Sequence, residues 1–386
     1  MASMCFCGDW LVLACDSKWI AADVTHDRDV FVFDCSEVER RRQQQREGSD
    51  GAEETGSDKI LAIAASPSGK LLAVTDDNKR LLVFRFDSSW RRISCRWVAR
   101  RCTSMVFTQT EEELLVADKS GDVYLFSVKE GEKMGELKMG HLSMLLSVTL
   151  SHDDEYIITA DRDEKIRVSR LRSPHNIQSF CLGHREFVTT LLVPPGHPDW
   201  LLSGSGDGTV RLWEYETGRQ LQSLDLSAPA AEQQEKQTVC RLAIAPGGGH
   251  VAVQCERSNI VQCLSLVDDL QVQSSLPLPD CPLDLTFDTD GRLWVMMDDR
   301  EALLRVFKQQ EGRWMHEDGS PGLRRAMEAF RVHWELLDAP SRMCSRFQHL
   351  RKVDFDNVSS YLQKKEERLQ QKRRRTEKEQ DDTVCS

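Results

Sequence analysis

A repeat of about 43 residues constrains this chain more than any other feature of its sequence. Gly140-His141 and Gly183-His184 are about 43 positions apart. Each is followed by an apolar stretch (MLLSVTL; FVTTLLV), a polar turn and a second apolar run (YIITA; WLLSGS). An aspartate-bearing turn and a third run (KIRVSRL; TVRLWEY) complete the unit. The third run recurs upstream in KSGDVYLFSV and DDNKRLLVFRF, and aligning on it puts Phe84, Phe126, Ser169 and Trp213 in one column. Short runs of this kind, bounded by turn residues, read as strands. One unit cannot bury its apolar faces alone, whereas stacked neighbours at a fixed period can.

The pattern resembles WD repeats, each of which supplies four strands to one blade of a β-propeller. GHREFVTTLLVPPGHPDWLLSGSGDGTVRLWEYETGRQL is the clearest copy. The resemblance implies that His184, Ser203, Asp207 and Trp213 form a buried hydrogen-bond chain. The aspartate accepts at the turn, and the indole N–H needs a buried partner. WLVLACDSKWIAADVTHDRDVFVFD reads as the first unit. RLAIAPGGGHVAVQCERSNIVQCLSL and LDLTFDTDGRLWVMMDDREALLRVF read as the sixth and seventh. Seven units need roughly 300 residues. The expectation is an all-β fold, a seven-bladed WD-repeat β-propeller over residues 1–308, followed by a C-terminal α-helical basic tail. The N-terminal strand is expected to close the ring in the last blade, because closure removes sheet edges. Residues 37–58 are polar and lack apolar periodicity, so they read as a disordered insertion; residues 228–236 read as a shorter surface loop.

From Gln309 the strand pattern stops. In PGLRRAMEAFRVHWELL, Leu323, Met327, Phe330, Trp334 and Leu337 recur at helical spacing. This predicts a short amphipathic docking helix within 309–350, ended by Pro340. In the last segment, 351–386, DFDNVSSYLQKKEERLQQKRRR predicts a second helix that Asp354 and Asp356 can cap. Phe355, Val358, Leu362 and Leu369 give it an apolar stripe over its first half. Lys364, Lys365, Arg368, Lys372, Arg373, Arg374 and Arg375 make it basic. Two readings stand side by side: a solvated charged helix or nuclear localisation signal, and an arm that lays its basic half along phosphates.

The net charge of −11 argues against a chain coated with nucleic acid and makes the concentrated basic tail more telling. Thirteen cysteines without a CxxC pair read as reduced thiols of an intracellular protein. MASMCFCGDWLVLAC, interrupted by Asp9, reads as a strand, and no apolar run approaches the roughly 20 residues that span a bilayer. GSGDG (204–208) resembles the glycine loop of a nucleotide or sulfonium-cofactor site. However, TVRLWEY after it is a strand, so no helix N-terminus faces an anion. HExxH, GxSxG and paired cysteines are absent. Carboxylate pairs such as Asp76-Asp77 and Asp153-Asp154 fall in turns, where solvated aspartate is usual. No catalytic centre, metal site or cofactor is expected, and a propeller of that kind is a docking platform.

Several stretches go beyond a generic repeat: VARRCTSMVF, LLVADKSGDVYLFSV, GHLSMLLSVTLSHDDEYIITADRDEKIRVSR, SFCLGHREFV and DFDNVSSYLQKKEERLQQ. Together they closely resemble the WD-repeat, non-catalytic subunit of the eukaryotic tRNA guanine-N7 methyltransferase. The likeness covers most of the chain and is densest over 98–220 and 352–371. It implies a heterodimer with a Rossmann-like catalytic subunit, which holds S-adenosylmethionine and methylates a guanine in the tRNA variable loop. This chain then stabilises and positions the enzyme and helps to hold tRNA. The resemblance puts the segment DRDEKIR at the partner contact, through Asp163, Glu164, Lys165 and Arg167, and the C-terminal helix near enzyme and tRNA. The basic run, read as a nuclear localisation signal, gives the expectation of a nuclear location, with the cytoplasm left open.

Alignment alone makes Arg167 an ordinary third-strand position matching Arg211. It also sets Asp163 in the column of Asp207, with Asp163 to Lys165 exposed. Ser169 is too short to replace an indole, so the buried chain is not expected in the fourth unit. Two rival functions are open. A cullin-type ligase receptor carries WDxR, against Trp213-Glu214-Tyr215-Glu216 and Ser169-Arg170-Leu171-Arg172 here. A chromatin-associated or histone-peptide adaptor would use an aromatic or acidic central cavity.

Overall fold

The computed structural model describes residues 2–39, 56–226, 237–267, 269–333, 347–352 and 365. Among these, the strands group into seven antiparallel sheets, each built from four consecutive strands. The seven blades span residues 3–34, 60–97, 102–140, 145–181, 188–225, 239–277 and 284–316. Second strands such as Trp10–Cys15, Leu71–Asp76 and Tyr156–Asp161 are buried along their whole length, which is why they read as unbroken apolar runs. Fourth strands such as Arg219–Asp225 are largely exposed and polar. The first strands of successive blades pack on one another and line the centre of the ring. The aligned column is real: Phe84, Phe126, Ser169 and Trp213 pair with Leu72, Leu114, Ile157 and Leu201, each the second residue of its strand.

The ring closes differently from the expectation. The strand Ser3–Cys7 pairs with Trp10–Cys15 inside the first blade. The seventh blade has its own fourth strand, Arg313–His316, paired with Leu304–Gln310. No place is left for an exchanged strand, and the propeller runs to His316, past the boundary set at 308. The seam is held by other means. The Met4 amide donates to Asp284 Oδ2 at 2.7 Å. Arg241 pairs with Asp284 at 3.3 Å and donates to the Met4 carbonyl. Phe6 meets Trp294 edge-on at 5.5 Å.

The predicted docking helix, α1 (Pro321–Val332), covers this seam. Ser320 caps it by accepting from the Leu323 amide, and Pro321 occupies a first-turn position where a missing N–H costs nothing. Leu323, Ala326, Ala329 and Phe330 are buried together with Ala22 and Val24 of the first blade and Leu303 and Leu304 of the seventh. Met327 packs against the same cluster, as its spacing predicts. A Cβ on Gly322 would lie 2.6 Å from the Val24 carbonyl, so the helix approaches the first blade as closely as a backbone can. Arg325 Nη2 donates to the carbonyls of Val24 and Thr25 at 2.6 and 2.9 Å. Trp334, Leu337 and Pro340 lie outside the described residues.

The insertion expected over 37–58 has ordered ends. A 3-10 turn spans Cys35–Glu37, and Val38 and Asp58 are buried. Fully buried Arg80 joins them, donating to the Val38 carbonyl at 2.7 Å, to Asp58 at 2.5 Å and to Asp76 at 2.7 Å. A buried guanidinium needs such partners, since an unpaired charge there would cost several kcal/mol. Residues 40–55 and 228–236 lie outside the described residues.

Candidate interface on the fourth blade

The turns between second and third strands share one face of the ring with the loops that enter each blade. The Arg162 amide donates to the Met144 carbonyl in the fourth blade, and the Gly206 amide to the Phe187 carbonyl in the fifth. The fifth blade carries the predicted chain complete. Trp213 Nε1 donates to Ser203 Oγ at 2.8 Å, Ser203 lies 2.7 Å from His184 Nε2, and His184 Nδ1 lies 3.0 Å from Asp207 Oδ2. A neutral imidazole with its proton on Nδ1 suits these contacts, because Ser203 then donates to Nε2 and Nδ1 donates to Asp207. Burial lowers the His184 pKa, against the pull of Asp207. Burial also raises the Asp207 carboxyl, but donation from His184, Thr209 and the Arg185 amide outweighs it and holds the carboxyl well below the usual range. GSGDG is the end of a strand and a turn, with the strand Thr209–Glu214 following it.

In the fourth blade a shortened version of this chain forms, contrary to expectation. His141 Nε2 lies 2.9 Å from Thr159 Oγ1 and Nδ1 lies 3.4 Å from Asp161 Oδ2. The acid is Asp161, not Asp163. Asp161 ends the second strand, and its Oδ1 accepts from the amides of Asp163 and Lys165 at 2.9 and 3.1 Å. Asp76 and Asp118 end the second strands of their blades and cap their turns in the same way. In the fifth blade a serine, Ser205, stands there, and Asp207 two residues on takes the role. The recurring dipeptides Thr75-Asp76, Ala117-Asp118 and Ala160-Asp161 carry this signal in the sequence.

With Asp161 inside, the rest of the turn is free to face outward. Lys165 is exposed, while Asp163 and Glu164 are half-buried rather than fully exposed. Glu164 has a φ of 71°, the left-handed conformation of a tight turn. Arg167 is half-buried and lies across from Phe180 in the sheet register. Its Nε donates to Ser169 Oγ at 3.0 Å, Nη2 to the Pro174 carbonyl at 2.8 Å and Nη1 to the Gly140 carbonyl at 3.3 Å. All three acceptors are neutral, and burial lowers its pKa. Arg211 has a different setting, with Gln220 at 2.6 Å and Asp207 at 3.7 Å. Leu142 in the entering loop of the same blade is fully exposed (109%), and Leu182 and Phe180 are exposed nearby in sequence and register.

Of the basic tail residues, Lys365 alone is described, and it is exposed. Lys364, Arg368, Lys372, Arg373, Arg374 and Arg375 lie outside the described residues. The first strands offer the centre of the ring only two charged side chains, Arg241 and Asp284, and these pair with each other. That is not an acidic cage for a cationic peptide. No group of three or more His, Cys, Asp or Glu among the described residues could hold a metal. The described cysteines form no disulfides, and burial pushes thiols such as Cys102 up to about 12, which keeps them unreactive. No helix among the described residues is long and apolar enough to cross a membrane.

Comparison with known proteins follows the same lines. The family model for the tRNA methyltransferase TRM82 WD40 domain matches residues 15–136 and 128–313. The chain is 52% identical over 382 residues to the tRNA (guanine-N(7)-)-methyltransferase non-catalytic subunit of Danio rerio, covering 96% of this chain and 92% of that protein. The Mus musculus subunit of the same name is 43% identical over 375 residues (95% and 91% covered). That of Drosophila melanogaster is 33% identical over 346 residues (85% and 80%). Among solved structures, a chain of the mitotic checkpoint complex superposes with a TM-score of 0.61 at 15% identity, over 75% of this chain and 81% of that one, a likeness of fold alone.

Proposed function

The chain belongs to the WD-repeat, non-catalytic subunits of the tRNA (guanine-N7) methyltransferase, and from that membership we propose that its fourth blade receives the catalytic subunit. It is a regulatory subunit, with the chemistry in a separate catalytic chain. S-adenosylmethionine belongs to that chain in this reading. Arg167 carries the proposal. It is a half-buried cation oriented by three neutral acceptors, with no carboxylate in ion-pair range among the described residues. A partner carboxylate completes such a group, and the geometry is set before the partner arrives. Exposed Lys165 adds steering charge, and Leu142 adds apolar surface for the centre of an interface.

The second role proposed is tRNA binding by the basic tail. Seven cations, from Lys364 to Arg375, are concentrated in a chain of net charge −11. The same run suits nuclear import, and we place the protein in the nucleus on that ground. The relatives' shared name leaves the ligase-receptor and chromatin-adaptor readings without support. Titration of the purified catalytic subunit with Lys165→Glu tests the blade-four contact. Slower association that converges on the wild-type rate at high salt is expected. Equal rates at low salt would remove Lys165 from the interface.

A further inference from the structure

Phe347 makes an aromatic contact that the propeller does not need for closure. Its ring lies 5.9 Å from that of Phe187 with 24° between the planes, and the two are 8% and 1% exposed. Phe187 ends the loop that enters the fifth blade. Its carbonyl accepts from Gly206, and its ring fills the space a side chain at Gly206 would need, where a Cβ would lie 2.6 Å away. Phe347 is therefore seated beside the turn that carries Asp207, on the face that bears Arg167 and Lys165 one blade earlier. Helix α1, by contrast, packs on the first and seventh blades. The chain leaves the ring at one seam and returns to it at another place before the basic tail begins.

We propose that Phe347 is a latch, a positioning residue that fixes the point from which the basic tail leaves the ring. The proposal rests on the reading of that tail as a phosphate-binding arm. Without the latch the last contact with the ring before the basic run is that of α1, which ends at Val332, so the covalent path to Lys372 lengthens from about 25 residues to about 40. Effective concentration falls roughly as the −3/2 power of linker length, which gives about a twofold loss. The displaced origin, from the fifth blade to the seventh, adds to it. Stacking also suits a latch, because an aromatic pair holds one segment without any charge that would compete for phosphate.

The test uses the complex with the catalytic subunit. tRNA dissociation constants are measured for wild type, Phe347→Ala, a variant with Lys372 to Arg375 replaced by alanine, and the combination. Amide exchange is followed over 347–352. Phe347→Ala is expected to weaken tRNA binding about two- to fivefold, to deprotect 347–352 and to leave the melting temperature of the ring unchanged. Phe347→Tyr should bind as wild type. The combination should bind no worse than the tail variant alone, since both act through one arm. Wild-type affinity for Phe347→Ala beside a weakened tail variant overturns the latch and spares the arm. Additive losses, or a fall in melting temperature that tracks the loss of affinity, also overturn it. A tail variant that binds tRNA as wild type overturns the arm and the latch with it.

Discussion

Arg167 donates from Nε to Oγ of Ser169, so the guanidinium is held by the residue that stands where the fifth blade has Trp213. In the fifth blade that column supplies an inward donor, the indole N–H on Ser203. In the fourth it supplies an inward acceptor, and the blade gives up a net hydrogen bond of about 0.5–1.5 kcal/mol. What it gains is an oriented cation on the turn face. The missing tryptophan and the surrounding charge are two sides of one arrangement.

Arg167→Leu should raise the dissociation constant for the catalytic subunit at least about tenfold, in the range for truncating one side of a buried charge pair. Its cost to the ring should stay near 1–2 kcal/mol, because the lost bonds have neutral partners. Arg167→Lys should recover only part of the affinity, since an ammonium cannot reach three acceptors in a fork. Calorimetric titration together with thermal unfolding separates the two effects. Loss of partner binding no larger than the loss of stability would contradict an interface role.

Trp213→Phe should destabilise the chain by about 1–3 kcal/mol without changing partner affinity. The ring volume is largely kept, as Phe84 and Phe126 show in the same column. The indole donor to Ser203 is lost. Denaturant unfolding reads the difference, and wild-type stability would mean that the buried chain contributes nothing.

Stability should fall as pH drops from 7.5 to 5.5. Burial lowers the pKa of both His184 and His250 from the ordinary value of 6.5. Below 6.5 the unfolded chain binds protons that these folded imidazoles refuse, so their contribution is fully present above 6.5 and declines beneath it. His184→Asn should lower stability throughout and flatten the slope in this window. An unchanged slope in that variant would assign the dependence elsewhere.

Blade number, the third-strand column and helix α1 were all legible, because each follows from local periodicity over one unit. The aspartate of the fourth unit was not. Alignment counts residues from the strand, whereas the turn selects the carboxylate that reaches its amides, and Asp161 reaches those of Asp163 and Lys165. Ring closure was hidden by the strand Arg313–His316, where only Trp314 is buried and the composition reads as polar. The Arg80 clasp on Val38 and Asp58 joins residues far apart in sequence, beyond any periodic signal.

Helix α1 should be a structural requirement of the ring. Phe330→Ala should cost about 3–5 kcal/mol, as for a fully buried phenylalanine. Gly322→Val should push the helix away from the Val24 carbonyl. Amide exchange should then rise in the first and seventh blades before the third and fourth. Uniform exchange across all blades would show that the seam is not where the ring opens.

The most direct test of the central claim is tRNA N7-methylation measured with the catalytic subunit alone, with this chain alone and with both. Activity only or mainly in the mixture, reduced by Arg167→Leu and restored by excess of that variant, is the predicted result. Methylation by this chain alone, or full activity of the catalytic subunit without it, would contradict its role as a non-catalytic partner that supports the enzyme.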